Sequence, residues 1–261
     1  MLNKLFKYDF KWINKVMYIY FIILFIITIA VKMVESLNQT LFITIIDKTL
    51  VSMFISCIVS IIITCFMRIW GRFINNIYKD ESYLTHTLPV TKNELFNSKI
   101  LSSILSLLLS VLVILICVAI VYLNDTTIET IKFMYQSLIN TYNETFAILF
   151  IIGLVLLILL EAIYFIMSGI FGIVLGYSTN NNKTIKSIIF GILSYGILSI
   201  ISLMILGILS KYTNFEIIDG GFPTLNTIKI MGLTSISVYL IFNLIYYFIA
   251  KKIINKGVNI D

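Results

Sequence analysis

Six apolar stretches, each about as long as a bilayer is thick, decide most of what this 261-residue chain can fold into. They cover Val16–Leu37, Leu50–Trp70, Leu101–Leu123, Phe146–Tyr177, Ile188–Leu209 and Ile230–Ala250. Crossing the hydrocarbon core takes about 20 apolar residues in an α-helix. Lipid offers no partner to backbone N–H and C=O groups, so a span must be a helix or part of a closed barrel. The ten-residue alternation of a barrel strand is missing. The sequence therefore predicts an all-α membrane protein, one transmembrane domain over residues 1–261 with six transmembrane helices. The fourth stretch is long enough to tilt, kink or pass beyond the membrane surface. With 59% hydrophobic and 12% charged residues, against about 45–50% and about 25% in soluble domains, no segment is left over for a soluble domain. The first apolar run lacks a small-residue cleavage site after it, so it is expected to be a retained span.

The basic residues assign the sides. Fourteen of the nineteen Lys and Arg fall in alternate segments (1–15, 68–99, 178–187 and 251–261). Lys32, Lys48, Lys132, Lys211 and Lys229 make up the opposite set. The positive-inside rule then places both termini in the cytoplasm. The net charge of +6 is read as topology rather than as a nucleic-acid surface. Ahead of the first span, Leu2, Leu5, Phe6, Phe10 and Ile13 recur at helical spacing among Lys4, Lys7, Lys11 and Lys15. This is the pattern of an interfacial helix over residues 1–15 lying on the inner leaflet; the alternative is a basic flank that only fixes topology. Cys57, Cys65 and Cys117 sit within apolar runs and read as small buried hydrophobes.

One polar segment interrupts the pattern between the second and third spans: "YKDESYLTHTLPVTKNELFNSKI", Tyr78 to Ile100. It holds the only His, His86, and one of the two Pro. Pro89 disfavours helix at Leu88. Thr91 and Glu94 then form the S/T-x-x-E capping box of a helix start, and Leu95, Ile100 and Leu101 carry it into the third span. That helix is expected to begin about two turns below the membrane. The first half mixes Phe73, Ile77, Tyr78, Tyr83 and Leu84 with Asp80 and Glu81. It reads either as a small apolar surface for a soluble partner or as a solvated connector.

Chemistry within the chain is not expected. A G-x-x-x-x-G-K-[ST] phosphate loop is missing, His86 lies outside the spans, and His and acids do not cluster as metal ligands. Within the membrane, Glu161 is the one acid deep in a span. It reads as a contact for a cationic substrate or a gate, or as a protonated or paired group locking helices. Ser168, Gly169, Gly172 and Gly176 form a small-residue face for close helix packing, with Gly191, Gly196 and Gly207 as possible mates. On the outer side, residues 124–145 and 211–229 are loops, the second broken by Gly220, Gly221 and Pro223.

The polar segment resembles the loop after the second span of ABC-2-type exporter permeases of low-GC bacteria. The matching positions are Asp80, Glu81, Tyr83, Thr87, Leu88, Pro89, Val90, Ser98 and Lys99; His86 departs from the pattern, which has an apolar or small polar residue there. The six-span layout, inner termini and amphipathic start are similar too. The resemblance implies a coupling helix, with Tyr78, Asp80, Glu81, Tyr83 and Leu84 docking on a nucleotide-binding subunit. It also implies two ATPase subunits carrying ATP and Mg, a second permease, identical or homologous, and no cofactor in this chain. It places the protein in a bacterial cytoplasmic membrane. A short surface or re-entrant helix between spans five and six, over Gly220, Gly221 and Pro223, would form an outer gate. The exported substrate would be hydrophobic or amphipathic (an antimicrobial peptide, a lipid or a drug), in a resistance or immunity role. A non-transporting sensor or immunity protein, the substrate-capture component of an importer, and a scaffold are the alternatives.

Overall fold

The computed structural model describes residues 2–37, 40–212, 217–218 and 222–257. Its helices are α1 (Leu2–Glu35), α2 (Leu41–Ile77), α3 (Ser82–His86), α4 (Lys92–Tyr122), α5 (Asp125–Thr141), α6 (Glu144–Tyr177), α7 (Lys183–Tyr212) and α8 (Leu225–Lys256). Strands β1 (Ile217–Ile218) and β2 (Phe222–Pro223) pair antiparallel, Ile217 opposite Pro223. Six helices are long and apolar enough to cross a membrane: α1, α2, α4, α6, α7 and α8. The chain forms two compact units, Met1–Phe133 and Met134–Asp261.

In the first unit α1 packs against both α2 and α4. The described residues of the expected interfacial helix form the first turns of α1, which runs unbroken for 34 residues. At 1.5 Å per residue that is about 50 Å, well beyond a core of about 30 Å. Its buried face is a stripe of Asp9, Ile13, Met17, Phe21, Leu24, Thr28 and Val31, spaced by threes and fours as one face of a helix requires, with Asn14 beside it. The amphipathic start is thus the continuation of the span's own packing seam.

Opposite it, α4 buries Ser98, Ser102, Ser103, Ser106 and Ser110. Small side chains let helix backbones approach closely in lipid, and their hydroxyls need partners there. Ser102 and Ser103 donate to the Lys99 carbonyl at 3.0 and 2.6 Å, and Ser110 to Ser106 at 2.9 Å. The Ser106 hydroxyl accepts from Asn14 Nδ2 at 2.8 Å, which links α1 to α4 at a fully buried position. At the other end Lys32 Nζ donates to Glu35 and to Asn124 Oδ1, and Asn124 Nδ2 donates to Glu35 Oε1 at 2.7 Å.

The expected loop 124–145 is largely the helix α5, and none of its residues is buried. Ile128, Ile131, Met134, Tyr135, Leu138 and Ile139 fall on one side of it by helical spacing.

In the second unit α6 packs against α7 and α8. A Cβ at Gly172 would collide with the backbone of Gly191 and with the Ser187 carbonyl; one at Gly176 would collide with Ser187. Ser194 Oγ donates to the Ser168 carbonyl at 3.2 Å. The small residues of α6 therefore face Ser187, Gly191 and Ser194, one side of α7. An added Cβ at Gly196 or Gly207 meets no atom of another element within 4 Å among the described residues, so neither is placed at the α6 contact. The turn into α7 uses Asn182 at φ 52°, a left-handed conformation that Asn tolerates. Between α7 and α8, where a surface helix was expected, the described residues form the β1–β2 pair. Pro223 belongs to β2; Gly220 and Gly221 lie outside the described residues.

Candidate functional site

The connection from α2 to α4 is the most elaborated polar part of the first unit. Tyr78 closes α2, its N–H bonding to the Ile74 carbonyl at 2.9 Å. Its ring turns back on Phe73 at 6.4 Å, and Phe73 meets Phe96 edge-on at 6.2 Å. Tyr78 is only 3% exposed, which corrects its expected place on a docking surface: the helix end buries it against apolar neighbours. A turn follows, in which Ser82 N–H donates to the Lys79 carbonyl at 2.7 Å and Thr85 Oγ1 to the Glu81 carbonyl at 2.8 Å. The five-residue α3 buries Ser82 and Thr85 and points Tyr83 and Leu84 outward, at 65% and 74% exposed. Asp80 and Leu88 are exposed beside them. Beyond Pro89, the Thr91–Glu94 capping box closes with Glu94 N–H to Thr91 Oγ1 at 3.2 Å and Thr91 N–H to Glu94 Oε2 at 3.1 Å. It sets the start of α4 at Lys92.

Beneath this tip lies a chain of ion pairs. Asp9 of α1, 2% exposed, accepts from Lys99 Nζ of α4 at 2.5 Å and from Arg72 Nε of α2 at 2.9 Å. Ser98 Oγ adds a third contact at 3.3 Å. Arg72 then reaches Glu81 Oε2 at 2.5 Å, and Asn76 Nδ2 donates to the same oxygen at 2.9 Å. One turn back on α2, the Arg68 guanidinium lies 3.7 Å from the centre of the Trp12 ring and donates to the Trp12 carbonyl at 2.8 Å. Three helices and the turn before α3 thus share one network, buried at Asp9 and Lys99 and half-exposed at Glu81. A charge this deep is tolerated only when paired and hydrogen-bonded. Burial pushes the Glu81 carboxyl up, but the Asn76 hydrogen bond and the Arg72 guanidinium outweigh it and hold the group below the ordinary carboxylate range.

No family model, curated protein or solved structure matches this chain.

Of the residues picked out in the sequence, Asp80, Glu81, Tyr83 and Leu84 share this connection. Tyr83, Leu84 and Asp80 face out, whereas Glu81 is spent inward on Arg72. Asp9, Asn14 and Arg72 are network residues that sequence reasoning did not single out, and Lys99 was marked only as part of the matching motif, not as a partner of Asp9. A signal for Asp9 exists: it shares a face with Leu5 and Ile13 at i±4, an acid set in an apolar stripe.

Glu161 stands elsewhere, near the middle of α6, on an exposed face. Among the described residues no basic side chain pairs with it, although a charge at the centre of a span costs about 2.5–3.5 kcal/mol on insertion scales. Among the described residues no three His, Cys, Asp or Glu side chains form a group that could hold a metal ion.

Proposed function

We propose that this chain is the membrane-spanning subunit of an ATP-driven exporter of the ABC-2 type, working with separate ATPase subunits and a second permease. One observation carries the reading. The α2–α4 connection offers Tyr83 and Leu84 to a partner while its base is tied, through Glu81, Arg72, Asp9 and Lys99, to α1, α2 and α4. A push on such a tip cannot be absorbed locally, because its anchor is part of the packing between helices; transmission of a stroke needs that rigidity. An exposed tyrosine is also the kind of aromatic anchor on which docking contacts concentrate their binding energy. The uneven distribution of Lys and Arg supports a cytoplasmic position for this connection and both termini. In the same reading the membrane is the bacterial cytoplasmic membrane, α5 rests its apolar side on the outer leaflet, and the cargo is hydrophobic or amphipathic. A role in resistance or immunity to antimicrobial peptides follows at the level of family analogy alone.

The test is capture of the tagged chain from native membranes. A nucleotide-binding ATPase should co-purify with the unaltered chain and be lost with Tyr83→Ala plus Leu84→Ala, while thermal stability stays unchanged. Retention of the ATPase by the double variant would overturn the docking surface. Absence of any ATPase from the native complex would overturn the exporter reading and favour a sensor or capture protein.

A further inference from the structure

The second unit holds an aromatic cluster whose role the exporter reading leaves open. Tyr164 on α6 donates to the Ser194 carbonyl of α7 at 2.7 Å, and its ring lies 5.8 Å from Tyr195 and 5.9 Å from Tyr239 of α8. Tyr246 stacks on Tyr164 at 5.6 Å and bonds to the same carbonyl at 2.8 Å. These contacts fix the inner rings and leave Tyr195 and Tyr239 half-buried at the edge of the cluster.

Glu161 sits one turn before Tyr164 on α6, hence over the same side of the helix. Next to it, Asn243 of α8 donates to the Leu160 carbonyl at 3.4 Å and to the Tyr239 carbonyl at 2.9 Å, while its own Oδ1 is buried and has no hydrogen-bond partner among the described residues. A carboxyl group with no basic partner among the described residues, an orphan amide oxygen and two tyrosine rings therefore lie close together near the middle of a span. Each of these groups favours positive charge: the carboxylate and the amide oxygen by electrostatics, the ring faces by cation–π attraction. An inorganic cation would have to shed its water there with too few oxygens to replace it. An organic cation whose charge is spread over an apolar body satisfies all of them and can arrive sideways through the lipid.

We infer that Glu161, Tyr195, Tyr239 and Asn243 form a binding site, open to the membrane, for a lipophilic organic cation. This deepens the exporter reading by naming a cargo class, and rests on that reading only for the step of transport; binding is a property of the chain itself.

The experiment measures tetraphenylphosphonium binding to the purified full-length chain in lipid nanodiscs, without any ATPase. Saturable binding is expected, at least tenfold weaker in Glu161→Gln, severalfold weaker in Tyr239→Leu, and retained in Tyr239→Phe, which keeps the ring. The neutral triphenylphosphine oxide should show only partition into lipid. Unchanged tetraphenylphosphonium binding by Glu161→Gln, or equal binding of the neutral probe, overturns the site. So does a Glu161→Gln variant that binds normally but loses self-association, since the carboxylate is then a contact between copies. If Glu161→Gln does not fold, the Tyr239→Leu and Tyr239→Phe pair decides, and equal binding by both sinks the proposal. Failure to capture an ATPase would remove the exporter reading and leave this result standing.

Discussion

Asp9 is the residue on which the first unit turns, because it is the shared acceptor of two cations from different helices. Lys99 is itself only 4% exposed, so removing the acid strands a buried ammonium beside a guanidinium. Asp9→Asn keeps the shape and removes the charge. It should lower the unfolding free energy by about 3–5 kcal/mol, the usual cost of breaking a buried pair from one side. Asp9→Leu combined with Lys99→Met replaces the pair with apolar bulk and leaves Arg72 its bond to Glu81. The double variant should lose clearly less than the sum of its two single variants, as measured by unfolding midpoints in one detergent. Strict additivity would mean the pair carries no coupling. Glu81 gives a pH signature of the same network. Its carboxyl is held low in the fold, so the stability it adds is complete above the ordinary carboxylate value and disappears as pH falls through the lower, folded value. The midpoint difference between the unaltered chain and Glu81→Gln should thus be flat from about pH 7 to about pH 5 and shrink towards zero in more acid solution. A difference that grew on acidification would rule out the ionised pair.

Among elements, the α6–α7 contact has the least tolerance. Gly172 faces backbone on α7 that cannot move aside, whereas a Cβ at Gly153 on the same helix meets nothing from other elements within 4 Å among the described residues. Gly172→Leu should cost about 1–3 kcal/mol or more by overpacking, and Gly153→Ala should stay within about 0.5 kcal/mol. Equal midpoints for the two variants would show that the small-residue face is not where α7 seats. This contact was legible in the sequence because Ser168, Gly172 and Gly176 repeat at the period of a helix. The six spans were legible for a similar reason: lipid leaves a run of apolar residues a single way to fold. The start of α4 was legible too, in the Thr91–Glu94 capping box. The unbroken length of α1 was not, since Asp9 is a stopping point for a hydropathy argument but not for a helix whose charges are paired. Helix α5 was hidden because Thr126, Glu129, Thr130 and Lys132 alternate with its apolar residues and dilute any run. The network itself joins positions 63 and 90 residues apart, and no local pattern reports a pairing over that distance. Tyr78 was misplaced by the same limit: composition marks an aromatic near a turn, but only the packing of Phe73 and Phe96 says that it points inward.

For the molecule as a whole, the surface decides the solvent. Leu115, Ile116, Ile152, Val155, Ile192 and Leu203 are all exposed along the spanning helices, and a surface of this kind is stable only when lipid or another apolar surface covers it. The charges then decide which way round the chain sits. Lys4, Lys7, Lys11 and Lys15 are exposed around the buried stripe of α1, so they do nothing for its packing and are free to act as topological signals. Three more follow α8's span, at Lys251, Lys252 and Lys256. A fluorescent protein fused after Asp261 should therefore mature and fluoresce, and alkaline phosphatase at the same point should stay inactive. Phosphatase fused after Thr141, at the end of α5, should be active because an odd number of spans precedes it. These outcomes are linked by the parity of the spans: an odd number of α1, α2 and α4 must cross for the second fusion to be exported, and an odd number of α6, α7 and α8 for the first to return, as three in each unit would do. An active phosphatase at both points would mean that one helix of the second unit lies in the membrane without crossing it, and the α2–α4 connection would still face the cytoplasm. An inactive enzyme after Thr141 with an active one after Asp261 would reverse the whole chain, place Tyr83 and Leu84 outside, and leave no route by which an ATPase could reach them.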